Sequence, residues 1–189
     1  MVPMTDRERR TLEPMGAEPQ VGLLLAALEE ARGRTLRELS DVTDEMTAWQ
    51  PPMELNSIGQ LLYHVALIEA DWLLTEILEW PEDRWPAWIG EEFPIDVRDE
   101  SGRLSEVPSE PLARAIARLD RVRHLVDAEL RPMTDAELHR PRAIGDTDVT
   151  PAWVLHHLLQ HEAEHRAHVA LVRDLFLSTA HSPGTPNRD

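Results

Sequence analysis

The sequence predicts an all-α fold, a four-helix bundle. Three observations lead there. Four segments repeat apolar residues with a period of about 3.6, their starts carry helix-capping residues or prolines, and no segment alternates apolar and polar residues over the length of a strand. The first helix is expected over 19–40, with Val21, Leu24, Leu25, Leu28, Ala31, Leu36 and Leu39 along one side. The second, 57–79, opens on Ser-Ile-Gly-Gln, where Ser57 can cap the helix and Gln60 can reach back in a capping box. Its stripe is Ile58, Leu61, Leu62, Val65, Ile68, Trp72 and Leu73. The third, 110–131, has Pro111 in its first turn, where a missing N–H costs nothing, and carries Leu112, Ile116, Leu119, Val122, Val126 and Leu130. The fourth, 150–177, opens on Thr150-Pro151.

The connections differ in kind. Residues 49–56 form a short proline turn. Residues 80–108 form a long irregular loop with four prolines and a tryptophan cluster at Trp80, Trp85 and Trp88. Those rings either pack the loop onto the bundle or line a ligand pocket. Residues 131–149 make a second irregular connection. One domain is expected over 19–177, flanked by flexible tails at 1–18 and 178–189.

Composition narrows the function. The chain has 189 residues and no cysteine, which removes disulfides, thiolate metal sites and cysteine nucleophiles. The formal charge is −16, from 35 acids against 19 bases, all of them arginine. Acidity of that order argues against nucleic acid and anionic membranes as partners. The segment MVPMTDRERRTLEP lacks an apolar core, and the longest clean apolar run is VGLLLAAL at 21–28. Neither a signal peptide nor a membrane span is expected, and the location expected is cytoplasmic.

Five of the nine histidines fall in the fourth helix: His156, His157, His161, His165 and His168. At about 100° per residue, with His157 at zero, His161 lies at about 40° and His165 at about 80°, amid Val154, Leu158 and Val172. His157 and His168 flank that stripe, while His156 points elsewhere. Two imidazoles one turn apart on a buried stripe can reach one ion. On the second helix His64 lies between Leu61 and Ile68, where an aliphatic residue would be expected. Three neutral imidazoles without a thiolate suit zinc or nickel and leave at least one position open for water or substrate. Binding is expected to weaken as pH falls through about 6.5, because imidazolium cannot ligate.

His161-Glu162-Ala163-Glu164-His165 also spells H-E-x-x-H, the pair of zinc metalloproteases. The context fails: 24 residues follow His165 without a glutamate, and His168 and Leu171 stand where the extended motif requires glycine and histidine. Glu162 falls near 140° on the wheel, which suits a supporting role to the ligands better than that of general base.

The segments WQPPMELNSIGQLLYH (49–64) and WVLHHLLQHEAEHR (153–166) resemble the DinB-like, YfiT-like family of metal-dependent proteins, over roughly residues 20–177. The resemblance implies up-down-down-up connectivity, frequent dimers, and metal ligands at His64, His161 and His165. Glu164, Ala167 and His168 depart from the family pattern, and His168, like His157 and Glu162, is a candidate second contact layer around the ligands. Within the family the resemblance implies thiol S-transferases that use mycothiol or bacillithiol as cosubstrate on a small-molecule substrate. The alternatives are a metal-dependent hydrolase and a non-catalytic metal-binding stress-response protein. A thiol carrier bearing carboxylates could use an arginine, and the sequence selects none of the 19.

Overall fold

Four long helices build the protein, seen in a computed structural model that describes residues 10–16 and 18–180. The tails expected at 1–18 and 178–189 fall largely outside the described residues. Of the parts inside, Met15 packs against the core and residues 178–180 continue the last helix.

Helix α1 (Pro19–Glu38) starts on proline without a side-chain cap of its own. The Asp135 carboxylate supplies one instead, accepting from the Gln20 and Val21 N–H groups at 3.2 and 3.3 Å. The preceding strand of chain crosses α1 at Gly22, where a Cβ would sit 2.6 Å from the Met15 carbonyl oxygen. A short α2 (Asp44–Ala48) follows, capped by Thr43.

Helix α3 (Ile58–Asp71) opens on the capping box expected there: Ser57 Oγ accepts from Gln60 N–H and Gln60 Oε1 from Ser57 N–H. The helical path then runs on without a break as a π-helical turn, Trp72–Ile77, and stops at Glu79, whose φ of 52° reverses the chain. The 80–108 connection carries a 3₁₀ turn (Glu82–Arg84) and a short α4 (Trp88–Glu92). Its tryptophans pack against the core, with Arg84 over the Trp80 ring and Arg121 over Trp88, each at 4.2 Å.

Helix α5 (Leu112–Leu130) begins one residue past Pro111, two later than expected. Asp44 accepts from the Leu112 N–H at 2.8 Å and so sets the start. The 131–149 connection is more ordered than its sequence suggests. It holds α6 (Asp135–Leu138) and an antiparallel hairpin of β1 (Arg142–Ile144) and β2 (Thr147–Val149). The sequence shows no strand here because three residues are too few to reveal an alternation. What holds the hairpin is tertiary: Arg142 is buried and donates to the Ile77 carbonyl at the end of the π turn (2.7 Å). Helix α7 (Pro151–Ala180) is the longest, 30 residues.

Helix α7 packs on α1 and α3, and α5 on α3 and α1. Cross-helix contacts give directions. Arg32–Glu162 and Glu38–Arg173 advance together along α1 and α7. Tyr63–Arg118 and Glu69–Arg123 do the same along α3 and α5, whereas His64–His161 and Trp72–Trp153 run oppositely on α3 and α7. Leu155 is fully buried in this core. Among the described residues no helix is long and apolar enough to cross a membrane.

Candidate metal centre

The antiparallel crossing of α3 and α7 brings together histidines 97 positions apart. His64 is 6% exposed, and His161 and His165 are half-buried. The Nε2 atoms of His64 and His161 are 2.9 Å apart, and those of His161 and His165 are 3.1 Å apart. Nitrogens about 2.0–2.1 Å from a shared ion lie about 2.9 Å apart at right angles and about 3.4 Å apart at tetrahedral angles, so these two pairs fit one ion, and the ligand atoms of all three histidines lie within 4.8 Å of one another.

The electrostatics also fit. Burial pushes His64 down from 6.5 to about 4, helped by the His165 ring and by Arg98. Burial likewise takes His161 to about 3, with the neighbouring imidazoles adding to it. For His165, burial and then His168 lower the value to about 4. Three lone-pair-bearing rings therefore face one another in a place that resists protons. A divalent cation placed among them would accept one lone pair from each ring. On the far side of His64, Nδ1 is buried and has no hydrogen-bond partner among the described residues.

The flanking candidates separate. His168 is exposed and its Nδ1 lies 3.4 Å from Nδ1 of His165, on the edge opposite the cluster. His157 makes no such contact. Its ring stacks on Trp153 (centroids 5.4 Å, planes 3° apart) and leans on Trp72 at 4.7 Å, with His161 at 6.1 Å.

Glu162 turns away from the ligands into a closed ring of ion pairs that takes one residue from each long helix. Arg32 of α1 donates to Glu69 of α3 (2.7 Å) and Glu162 of α7 (2.8 Å), and Arg123 of α5 donates to the same two carboxylates (2.6 and 3.0 Å). All four side chains are at most 10% exposed. Burial by itself would raise the Glu69 carboxyl, but Arg123 and Arg32 outweigh it and hold it below its ordinary value. Arg32 is held above its ordinary value against burial by Glu69 and Glu162. Sequence reasoning misses this ring. Its one signal is charge at buried helical positions: Glu69 one residue past Ile68, and Arg32 beside Ala31.

A helical protein whose two crossing helices gather three neutral imidazoles is, in class, a candidate His₃ metalloprotein. The chain belongs to the DinB superfamily, whose family model matches residues 27–169. It is similar to the uncharacterized protein YkkA of Bacillus subtilis (strain 168), 27% identical over 157 residues, which is 82% of this chain and 87% of that protein. Two solved structures share the fold. A conserved protein of Enterococcus faecalis gives a TM-score of 0.63 at 19% identity, covering 82% of this chain and 96% of that one. A protein of Streptococcus pneumoniae gives 0.56 at 14% identity, covering 88% and 93%.

Proposed function

We propose that this chain binds one divalent ion, zinc or nickel, through His64, His161 and His165, and catalyses transfer of a low-molecular-weight thiol of the mycothiol or bacillithiol type to a small electrophile. The observation that carries the reading is the convergence of three Nε2 atoms on rings that burial keeps neutral. Three protein ligands leave coordination positions open, the pattern of catalytic rather than structural sites. When bound, a divalent ion supplies the charge that keeps a coordinated thiol ionised at neutral pH. The sulfur–carbon bond then forms as the bond to the leaving group breaks, the thiol proton having passed to solvent.

The chain's own residues supply placement. The α3 and α7 stripes hold the ligand rings, His168 steadies His165 from behind, and His157 with Trp72 and Trp153 forms an aromatic wall alongside. The Glu162 carboxylate is committed to two guanidiniums, so the H-E-x-x-H glutamate offers no base for activating water. That favours a nucleophile ionised by the metal over hydrolysis assisted by this glutamate.

The test is product formation from a model electrophile by zinc- or nickel-loaded protein with mycothiol or bacillithiol. Thiol-dependent turnover that disappears in His161→Ala supports the reading. Turnover without thiol would favour the hydrolase, and tight metal binding with no turnover in either assay would favour a metal-binding protein without catalysis.

A further inference from the structure

The 80–108 connection leaves a cavity of about 530 Å³ against α3, a volume within the range of small-molecule sites. Leu67 and Asp71 of α3 line one side; Trp85, Gly90, Phe93 and the 95–97 segment line the rest. Each wall is held by contacts of its own. The Trp85 indole N–H donates to the Trp80 carbonyl (3.1 Å), and Phe93 meets the Tyr63 ring edge-on, centroids 5.5 Å apart. The Tyr63 hydroxyl donates to the Ile95 carbonyl (2.9 Å) and accepts from the Ile95 N–H (3.1 Å). Glu92, between Gly90 and Phe93, is held by Arg114 (2.6 Å) and Arg121 (3.1 Å) of α5. The tryptophans of this loop therefore divide: Trp88 lies under Arg121, whereas Trp85 lines space the chain does not fill.

The lining of this cavity suits a cation. It includes the acids Asp71, Glu82 and Asp96 and no base. The buried carboxylates Glu69 and Glu162 are each met by Arg32 and Arg123, and Glu92 by Arg114, Arg118 and Arg121. The Asp71 carboxylate is also partly buried, yet among the described residues it has no hydrogen bond or ion pair. Burial pushes this carboxyl above its ordinary value, and the nearby Glu76 charge adds to the rise. A carboxylate so placed has lost water without gaining a partner, and a cation in the cavity would supply one. Trp85 and Phe93 add aromatic surface, which covers an apolar body and attracts an ammonium charge to the ring face.

We propose that this cavity binds a small organic ammonium ion, with its charge on Asp71 and its apolar body against Trp85 and Phe93. The three histidines take no part in its lining, so the proposal is independent of the metal reading above. Titration of the full chain with benzylammonium and with neutral benzyl alcohol tests it, at physiological salt so that the overall −16 charge is screened. The readout is the Trp85 indole N–H resonance, assigned by its loss in Trp85→Phe, with the indole of Trp153, outside the cavity, as control. Benzylammonium should shift the Trp85 signal saturably and bind roughly tenfold more tightly than the alcohol, the order of one charge-assisted hydrogen bond. Asp71→Asn keeps the shape and should abolish most of that preference without lowering the melting temperature. At Gly90 an added Cβ meets nothing within 4 Å, so Gly90→Phe should fill the cavity and remove the response to both probes. Equal affinity for the two probes, no saturable shift, or a preference that survives Asp71→Asn would overturn the proposal. So would binding that persists in Gly90→Phe, or calcium that reproduces the Trp85 shift and displaces benzylammonium, the mark of an inorganic cation site.

Discussion

His64 occupies a position on α3 where an aliphatic side chain would pack, and that misfit is what makes it informative. Each of His64→Ala, His161→Ala and His165→Ala should lower metal affinity by more than about 100-fold, beyond what loss of an outer contact costs. His168→Ala should cost about 10-fold through the freed His165 ring, and His156→Ala, at an exposed position, nothing measurable. Competition titration with a chromophoric chelator reads all five. The pH response differs from the one a free imidazole predicts. The folded rings are lowered from 6.5 to about 4, 3 and 4, so protons compete with the metal only as pH approaches about 4, well below the 6.5 expected from sequence. In metal-free protein the unfolded chain takes up protons that the buried rings refuse, so stability falls as pH drops from 6.5 to about 4. Bound metal measured against pH, and the melting temperature of metal-free protein over the same range, check both statements.

Between elements, the ring of Arg32, Glu69, Arg123 and Glu162 ties four helices at one level, next to His161. Removing one member strands a buried charge. Arg32→Met should therefore destabilise by about 3–5 kcal/mol in urea unfolding, whereas replacing all four members with apolar residues of similar volume should recover most of it. The local devices are smaller in effect. Ser57→Ala, which removes the α3 cap, should cost about 1 kcal/mol. The capping box was readable because its two residues lie three apart in the chain. The ring was not, because its partners lie up to 130 positions apart and pair only once the helices have packed. The π turn at Trp72–Ile77 was equally hidden: the apolar stripe continues through it, and only the widened hydrogen bonding marks it.

For the whole molecule, the homodimer implied by the family resemblance is the expected state. Helices α1 and α7 carry exposed apolar residues, Leu23 (47%) on α1 and Leu171 (48%) and Leu177 (36%) on α7. Light scattering at micromolar concentration should give twice the chain mass, and Leu171→Asp should shift it toward the monomer. A monomer in wild type would remove this expectation, since the exposed residues would then be ordinary surface.

The sequence by itself determined the four long helices, their apolar faces and the three histidines, because each is written as a short-range pattern: a period, a cap, a titratable residue inside an apolar stripe. It also determined what the site lacks, since a chain without cysteine can offer no thiolate. Tertiary structure alone decided which charges meet. It assigned Glu162 to two arginines from other helices and gave His168 and His157 different neighbours. Those outcomes depend on helix crossing and loop path, which set distances between residues far apart in the chain and leave no period or spacing to read.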